Sequence, residues 1–212
     1  MTETRVVYRK GVKGLQPHPD QPFALGPPSP VEVCQLELEF ARVLDLYRVK
    51  KPARVLEIGT ASGGTLYHWL TNAQPGTGVI TVDLAEPHYE SSEHLYDEWT
   101  PPGVWCVQVR GSSHDPETVE ACKAHGPFNW LFIDGAHTYE DAVMDWTDYR
   151  ALCSPGAYVF FHDIALRRKY EDGSEAGVWQ LWRELQADGY WTAELRAQPL
   201  VNAYGIGALC LP

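Results

Sequence analysis

Short, nearly unbroken apolar runs alternate with stretches of helical spacing through the middle of the chain. ARVLEI leads into a glycine-rich turn and TLYHWL; GVITVD and VWCVQV follow, the second ahead of a polar helix near residues 115–124; then come WLFID, a long helical stretch and AYVFFHD. Strands buried on both faces read as continuous apolar runs, and their alternation with helices predicts a parallel sheet covered on both sides. After residue 163 the pattern changes. A charged loop, RRKYEDGSE, precedes a helix that turns Val178, Leu181, Trp182 and Leu185 inward and stops at Gly189. Two further runs, YWTAELR and NAYGIGALCL, flank Gln198-Pro199 as a terminal antiparallel hairpin. The expected class is α/β, a doubly wound and mainly parallel sheet of seven strands in one domain.

Upstream, Ser29-Pro30-Val31-Glu32 has the form of a helix start, with Ser29 as N-cap, Pro30 in the first helical position and Glu32 closing a capping box. Val33, Leu36, Phe40, Val43 and Tyr47 then share one face as far as about Val49, and Lys50, Lys51 and Pro52 end the helix. A helix of this kind packs on its own sheet or on a second subunit, which leaves a homo-oligomer open. Residues 1–30, with QPHPDQPFALGPPSP, read as a proline-rich arm or lid ahead of a domain spanning 31–212.

Composition narrows the partners. The 212 residues are 44% hydrophobic, enough for one sizeable core. Seventeen basic against 28 acidic residues leave a formal charge of −11, which repels phosphate backbones and anionic lipid, so neither nucleic acid nor a membrane surface is an expected partner. No apolar run reaches membrane-span length and the N-terminus lacks a leader pattern, so the expected location is cytoplasmic. Cys34, Cys106, Cys122, Cys153 and Cys210 are scattered without a C-x-x-C pair and read as buried free thiols.

Candidate chemistry gathers at the predicted strand ends. In VLEIGTASGG, Gly59 and Gly63 allow a sharp strand-to-helix turn and close approach of a ligand, and the amides at the next helix start are free to donate. The spacing G-x-x-x-G-G, with Glu57 two residues ahead, differs from the G-x-G-x-x-G of dinucleotide sites and favours a nucleoside without a pyrophosphate. Asp83 closes the second run of the series, where a carboxylate accepts hydrogen bonds from ribose hydroxyls. Further on, IDGAHTYED sets Asp134 and His137 in a turn before a helix capped by Thr138 and Asp141, and PGAYVFFHD ends in His162 and Asp163. Two carboxylates and an imidazole suit a divalent cation, magnesium or another, with Asp134, His162 and Asp163 as ligands; magnesium's preference for oxygen makes His162 the unusual one. His137 has the chemistry of a general base. The proline-rich arm and the loop Arg167–Asp172 flank this rim and are candidate lids.

Over residues 53–165 the sequence resembles the class I S-adenosylmethionine-dependent methyltransferases, in particular small-molecule O-methyltransferases acting on sugars and natural products. VLEIGTASGG resembles their first motif, VDL the acidic end of the second strand, and IDGAHTYEDAVMDW with PGAYVFFHD the paired later motifs. The resemblance implies a Rossmann-like fold. It also implies that Glu57, Gly59, Thr60, Ala61, Ser62 and Gly63 border the methionine part of S-adenosylmethionine, that Asp83 binds its ribose, and that Ser112 and Ser113 lie by the adenine. Many relatives carry aspartate where Ser112 stands. Asp134 would adjoin the cofactor and serve catalysis with His137, while Asp134 and Asp163 match the family's magnesium ligands, with His162 replacing the third group. The implied reaction is methylation of a hydroxyl on a small molecule. Two competing readings are a nucleotide-dependent oxidoreductase, which the glycine spacing disfavours, and a non-catalytic cofactor-binding protein; methylation at nitrogen is a further variant of the first.

Overall fold

The computed structural model describes residues 4–9, 29–84, 92–197 and 204–212. In chain order the strands are β1 (Thr4–Arg9), β2 (Arg54–Ile58), β3 (Gly78–Asp83), β4 (Trp105–Arg110), β5 (Phe128–Ile133), β6 (Cys153–Phe161), β7 (Trp191–Ala197) and β8 (Ile206–Cys210). The α-helices are α1 (Glu37–Lys50), α2 (Gly64–Thr71), the short α3 (Tyr96–Trp99), α4 (Pro116–Lys123), α5 (Tyr139–Arg150) and α6 (Val178–Ala187). One sheet runs β1-β7-β8-β6-β5-β2-β3-β4. Strands β2 to β6 pair in parallel, whereas β8 inserts antiparallel between β6 and β7. All seven expected strands are present in a Rossmann-like arrangement. The eighth, β1, extends the edge by pairing antiparallel with β7, so residues 4–9 of the expected arm are sheet; the remainder of that arm, 10–28, lies outside the described residues.

Both faces of the sheet are covered by large apolar side chains, as the unbroken runs require. One face packs Phe40, Tyr47 and Trp69 of α1 and α2 against Trp130, Phe132 and Phe160. The other packs Trp146 and Tyr149 of α5 with Leu181, Trp182 and Leu185 of α6 against Leu131, Val159 and Phe161. Helix α1 therefore packs on its own sheet. Among the described residues no helix is long and apolar enough to cross a membrane. The cysteines are free, as expected, but only Cys122 is buried and Cys34 is exposed.

Helix α1 begins at Glu37, not at Pro30. Among the described residues Ser29 accepts a hydrogen bond only from the Val31 amide, at 3.3 Å, and residues 31–36 run irregularly across the start of α2. The local capping pattern loses to tertiary contacts. Ser62 Oγ donates to the Glu32 carbonyl at 3.1 Å, Thr65 Oγ1 donates to Gln35 Oε1 at 2.8 Å, and Gly64 leaves room for the Glu32 carbonyl carbon, 2.7 Å from where a Cβ would stand. A helix starting at Pro30 would remove these partners from α2.

Candidate functional site

Strand order converts the expected strand ends into one cleft. Because β5, β2 and β3 are adjacent and parallel, the turns after them open on the same edge of the sheet, where ligands of open α/β sheets bind. The cavity there has a volume of about 810 Å³, within the usual range for cofactor and substrate sites. Gly59, Thr60, Ala61, Ser62, Asp83, Ser112, Ser113, Asp134, His137, His162 and Asp163 all line it.

One end of the cavity is organised by Asp83, whose carboxylate accepts from the Ala61 amide at 2.5 Å and holds the turn after β2 against the end of β3. Ala61 itself has φ +47°, a conformation that this bond helps to fix. Ser112 and Ser113 follow β4, and beside them His114 lies between Asp141, at 3.7 Å, and the fully buried Asp145, at 3.3 Å. Burial raises the Asp145 carboxyl, with Ser113 and His114 pulling it back. His114 was not anticipated; the spacing of Asp141 and Asp145, four apart on one helical face, is the signal that leads to it.

Two residues of the glycine motif lie elsewhere than expected. Glu57 is fully buried behind the turn, its carboxylate accepting from Trp69 Nε1 at 2.9 Å and from Thr81 Oγ1 at 3.2 Å. Gly63, at φ +83°, faces the Tyr96 and Trp99 rings and is absent from the cavity wall. Both make structural contacts: Glu57 ties β2 to α2 and β3 beneath the turn, and Gly63 ends the turn where a Cβ would strike Tyr96.

Burial pushes the Glu57 carboxyl up to about 8 against the lowering effect of its two donors. The folded chain thus keeps a proton that the unfolded chain releases above its ordinary value of 4.5. The resulting stabilisation is complete below that value and is lost as pH rises through about 8. Glu57→Gln, which cannot ionise, is expected to flatten the stability profile between these limits and to exceed the parent at high pH by a few kcal/mol, at about 1.4 kcal/mol per pH unit. Urea unfolding of both proteins across this range checks it; parallel profiles would rule out a protonated Glu57.

The opposite end is acid and imidazole. Thr138 caps α5 by accepting from the Asp141 amide at 3.2 Å, so the turn carrying Asp134 and His137 is anchored at its far side. The His137 carbonyl also accepts from Gly177 at 2.7 Å, tying it to the start of α6. His137 Nε2 lies 3.0 Å from Asp163 Oδ2 and 4.0 Å from Asp134 Oδ1. That hydrogen bond, outweighing burial, raises the His137 pKa. Its side chain remains 37% exposed, enough to meet a ligand in the cavity. Asp163 sits at φ +59°, and burial of its carboxyl is outweighed by the two imidazoles, which lower its pKa.

His162 is buried, with Nδ1 3.0 Å from Asp134 Oδ1 and 3.5 Å from Asp163 Oδ1. Burial opposes its positive charge, but the two carboxylates prevail and push it up to about 9. One donor atom from each of Asp134, His162 and Asp163 falls within 4.8 Å of the others, a spacing that fits a single divalent cation. The mixed oxygen and nitrogen set suits a transition-metal ion better than magnesium. Sequence reasoning missed Gln35, which donates to Asp134 and accepts from Thr65, and Cys34 and Tyr204, which also line this end. The first two belong to the segment read as helix, and Tyr204 comes from the far end of the chain.

Comparison with known proteins agrees with this fold. The chain is 27% identical over 157 residues to the uncharacterized protein y4gI of Sinorhizobium fredii, a match that takes in 67% of this chain but only 16% of that much longer protein. Among solved structures it is similar to an O-methyltransferase from Bacillus cereus in complex with S-adenosylhomocysteine (SAH), with a TM-score of 0.64 at 16% identity, over 85% of this chain and 83% of the other. It is also similar to the O-methyltransferase TomG from Streptomyces achromogenes, involved in tomaymycin synthesis and bound to S-adenosylmethionine (SAM), with a TM-score of 0.58 at 19% identity, over 80% and 78% of the two chains. A model of the methyltransferase domain matches residues 56–164, the stretch that runs from β2 through the His162–Asp163 pair, and the chain belongs to that methyltransferase family.

Proposed function

We propose that the protein transfers the methyl group of SAM to a hydroxyl oxygen of a small molecule, with His137 as general base. The observation that carries this reading is a single cavity joining a ribose-type carboxylate, Asp83, to the cluster of Asp134, His137, His162 and Asp163. A nucleoside end and a proton-accepting end, met in one cleft on a methyltransferase domain, are what transfer from SAM to oxygen requires. The O-methyltransferases of similar fold support oxygen as the acceptor atom.

When bound, SAM supplies an electrophilic methyl on sulfur together with its own leaving group. The chain's task is alignment and deprotonation. The turn 59–62 and Asp83 would hold the nucleoside, Ser112 and Ser113 would adjoin its base, and the Asp134 edge would face the acceptor. With Nε2–H donated to Asp163, neutral His137 keeps the lone pair on Nδ1, which takes the proton from the acceptor hydroxyl as the oxygen attacks. This is the familiar arrangement in which a carboxylate fixes the tautomer and orientation of a basic imidazole. A divalent cation held by Asp134, His162 and Asp163 would lower the pKa of a bound hydroxyl.

The first experiment is thermal unfolding with saturating SAH and, separately, with NAD. A ligand at 100 times its dissociation constant adds about 2.7 kcal/mol, a midpoint shift of several degrees for a domain of this size. A rise with SAH alone supports the reading; a rise with NAD alone returns the oxidoreductase. Asp83→Ala is expected to weaken SAH binding about ten- to a hundredfold, the loss of a charge-assisted hydrogen bond, with calorimetric titration as the check. Unchanged affinity would mean that Asp83 serves only the Ala61 amide. Formation of SAH over time with a panel of hydroxylated acceptors, with and without divalent cations, then separates an enzyme from a binding protein.

A further inference from the structure

Behind the wall formed by residues 163–165 and 204–205 lies a second cavity, of about 330 Å³. The wall is continuous: the amides of Ile164 and Ala165 donate to the Gly205 and Tyr204 carbonyls at 3.2 and 2.9 Å, and a Cβ on Gly205 would stand 3.6 Å from Arg196 Cγ. Asp163 and Tyr204 face the large cavity; Ile164 and Ala165 face the small one.

Three arginines reach this pocket from three different elements: Arg167 from the loop after β6, Arg183 from α6 and Arg196 from β7. The Arg167 guanidinium lies 3.8 Å from the centre of the Trp179 ring, and that of Arg183 lies 5.2 Å from the same ring. The indole is itself fixed, its Nε1 donating to the Ala176 carbonyl at 3.0 Å. Stacking on an aromatic face orients a guanidinium while leaving its N–H groups directed outward. Among the described residues neither Arg167 nor Arg183 has a carboxylate within ion-pair distance. Glu194 borders the pocket, but its Oε1 accepts from Trp182 Nε1 at 2.9 Å and Gln186 Nε2 at 3.1 Å. The concentration of positive charge shows in Arg167, whose pKa is lowered by burial and then by Arg183 and Arg196.

A chain of net charge −11 that stacks Arg167 and Arg183, neither of them ion-paired among the described residues, on one ring leaves a local excess of cation there. Like charges held this close repel, and a bound anion turns that repulsion into attraction. We propose that Arg167 and Arg183, in the pocket that Arg196 also borders, form an anion site, separate from the larger cavity, that takes a phosphate group. Two guanidiniums fixed against one indole present several N–H donors, which match the peripheral oxygens of phosphate better than the two of a carboxylate, and a pocket of this size takes a compact group rather than a nucleic-acid strand. The phosphate is either the free ion or the head of a small phosphate ester. The site also gives the RRKYED loop a role other than a lid: an anion on Arg167 would hold the segment that continues directly from Asp163 against α6 and β7. This assignment stands independently of the proposed transfer reaction.

The test is a titration of the full chain with inorganic phosphate and, separately, with methyl phosphate, read by calorimetry and by the unfolding midpoint at constant ionic strength with chloride as the balancing anion. The expected result is saturable one-site binding that chloride does not reproduce. Tighter binding of phosphate identifies the free ion as the natural form, and tighter binding of methyl phosphate an ester. Arg167→Ala with Arg183→Ala is expected to abolish binding, while the midpoint without phosphate holds or rises as repulsion is relieved. Arg183→Gln, which leaves Arg167 stacked on Trp179, is expected to weaken binding about ten- to a hundredfold and covers failure of the double variant to fold. Absence of saturation, or an affinity that the substitutions leave unchanged, overturns the proposal.

Discussion

His137→Ala is expected to lower turnover by about 10²–10⁴-fold while leaving SAH affinity almost unchanged. The magnitude is that of removing a general base from a transfer in which alignment by the cofactor site persists. The selectivity follows from position: His137 is held by Asp163 at one end of the cavity, while Asp83 and the turn after β2, the proposed nucleoside site, lie at the other. Free imidazole should restore part of the lost rate, because the vacated space adjoins a cavity into which the native ring is already partly exposed. Loss of turnover with parallel loss of SAH binding, and no rescue, would make His137 a prop for Asp163 and leave the reaction without this base. The measurement needs an acceptor, so it follows the panel, but SAH affinity of the variant can be read at once.

Gly59→Ala should produce the largest loss of stability of any single methyl added to the chain's turns. Gly59 has φ +89°, and its missing Cβ would fall on the Asp134 carbonyl, 2.5 Å from the carbon and 2.9 Å from the Gly135 nitrogen. These are backbone atoms of β5's exit, fixed by the Asp134 amide donating to the Ile58 carbonyl at 2.8 Å, so no side chain can move aside. The strain of a left-handed non-glycine residue alone costs roughly 1–2 kcal/mol. The clash adds to it, and a total above about 4 kcal/mol is expected, at the exceptional end for one substitution. Gly156→Ala is the matched control, with φ +77° and nothing within 4 Å of the added atom. If denaturant unfolding gave the two variants equal losses, the close approach of Gly59 to Asp134 would be wrong, and with it the geometry of the cleft.

Much of this cleft is legible from local pattern because its residues stand at strand ends. A run such as VLEIG or FIDGAH states both that a buried strand ends and which polar groups follow it, and parallel strands place all such groups on one edge. Asp83, Asp134, His137, His162 and Asp163 were therefore found together without knowledge of their distances. Pattern failed where two parts of the chain compete for the same atoms. Ser29 to Glu32 has every local mark of a helix start, yet the Glu32 carbonyl and Gln35 are taken up by Ser62, Thr65 and Asp134, some thirty to a hundred positions away. Glu57 has the sequence position of a ligand residue, but its carboxylate turns to Trp69 and Thr81 behind the wall.

What the sequence determined by itself was the order of strands and helices, the burial of the sheet on both faces and the chemical types gathered at its edge, because each depends on spacing along one short segment. Only the tertiary structure decided that His137 pairs with Asp163, that Gln35 and Tyr204 enter the cavity, that residues 4–9 extend the sheet and that Arg167 and Arg183 meet at Trp179. Those outcomes depend on which distant groups come within a few ångströms, and side-chain hydrogen bonds and ion pairs act only over that range.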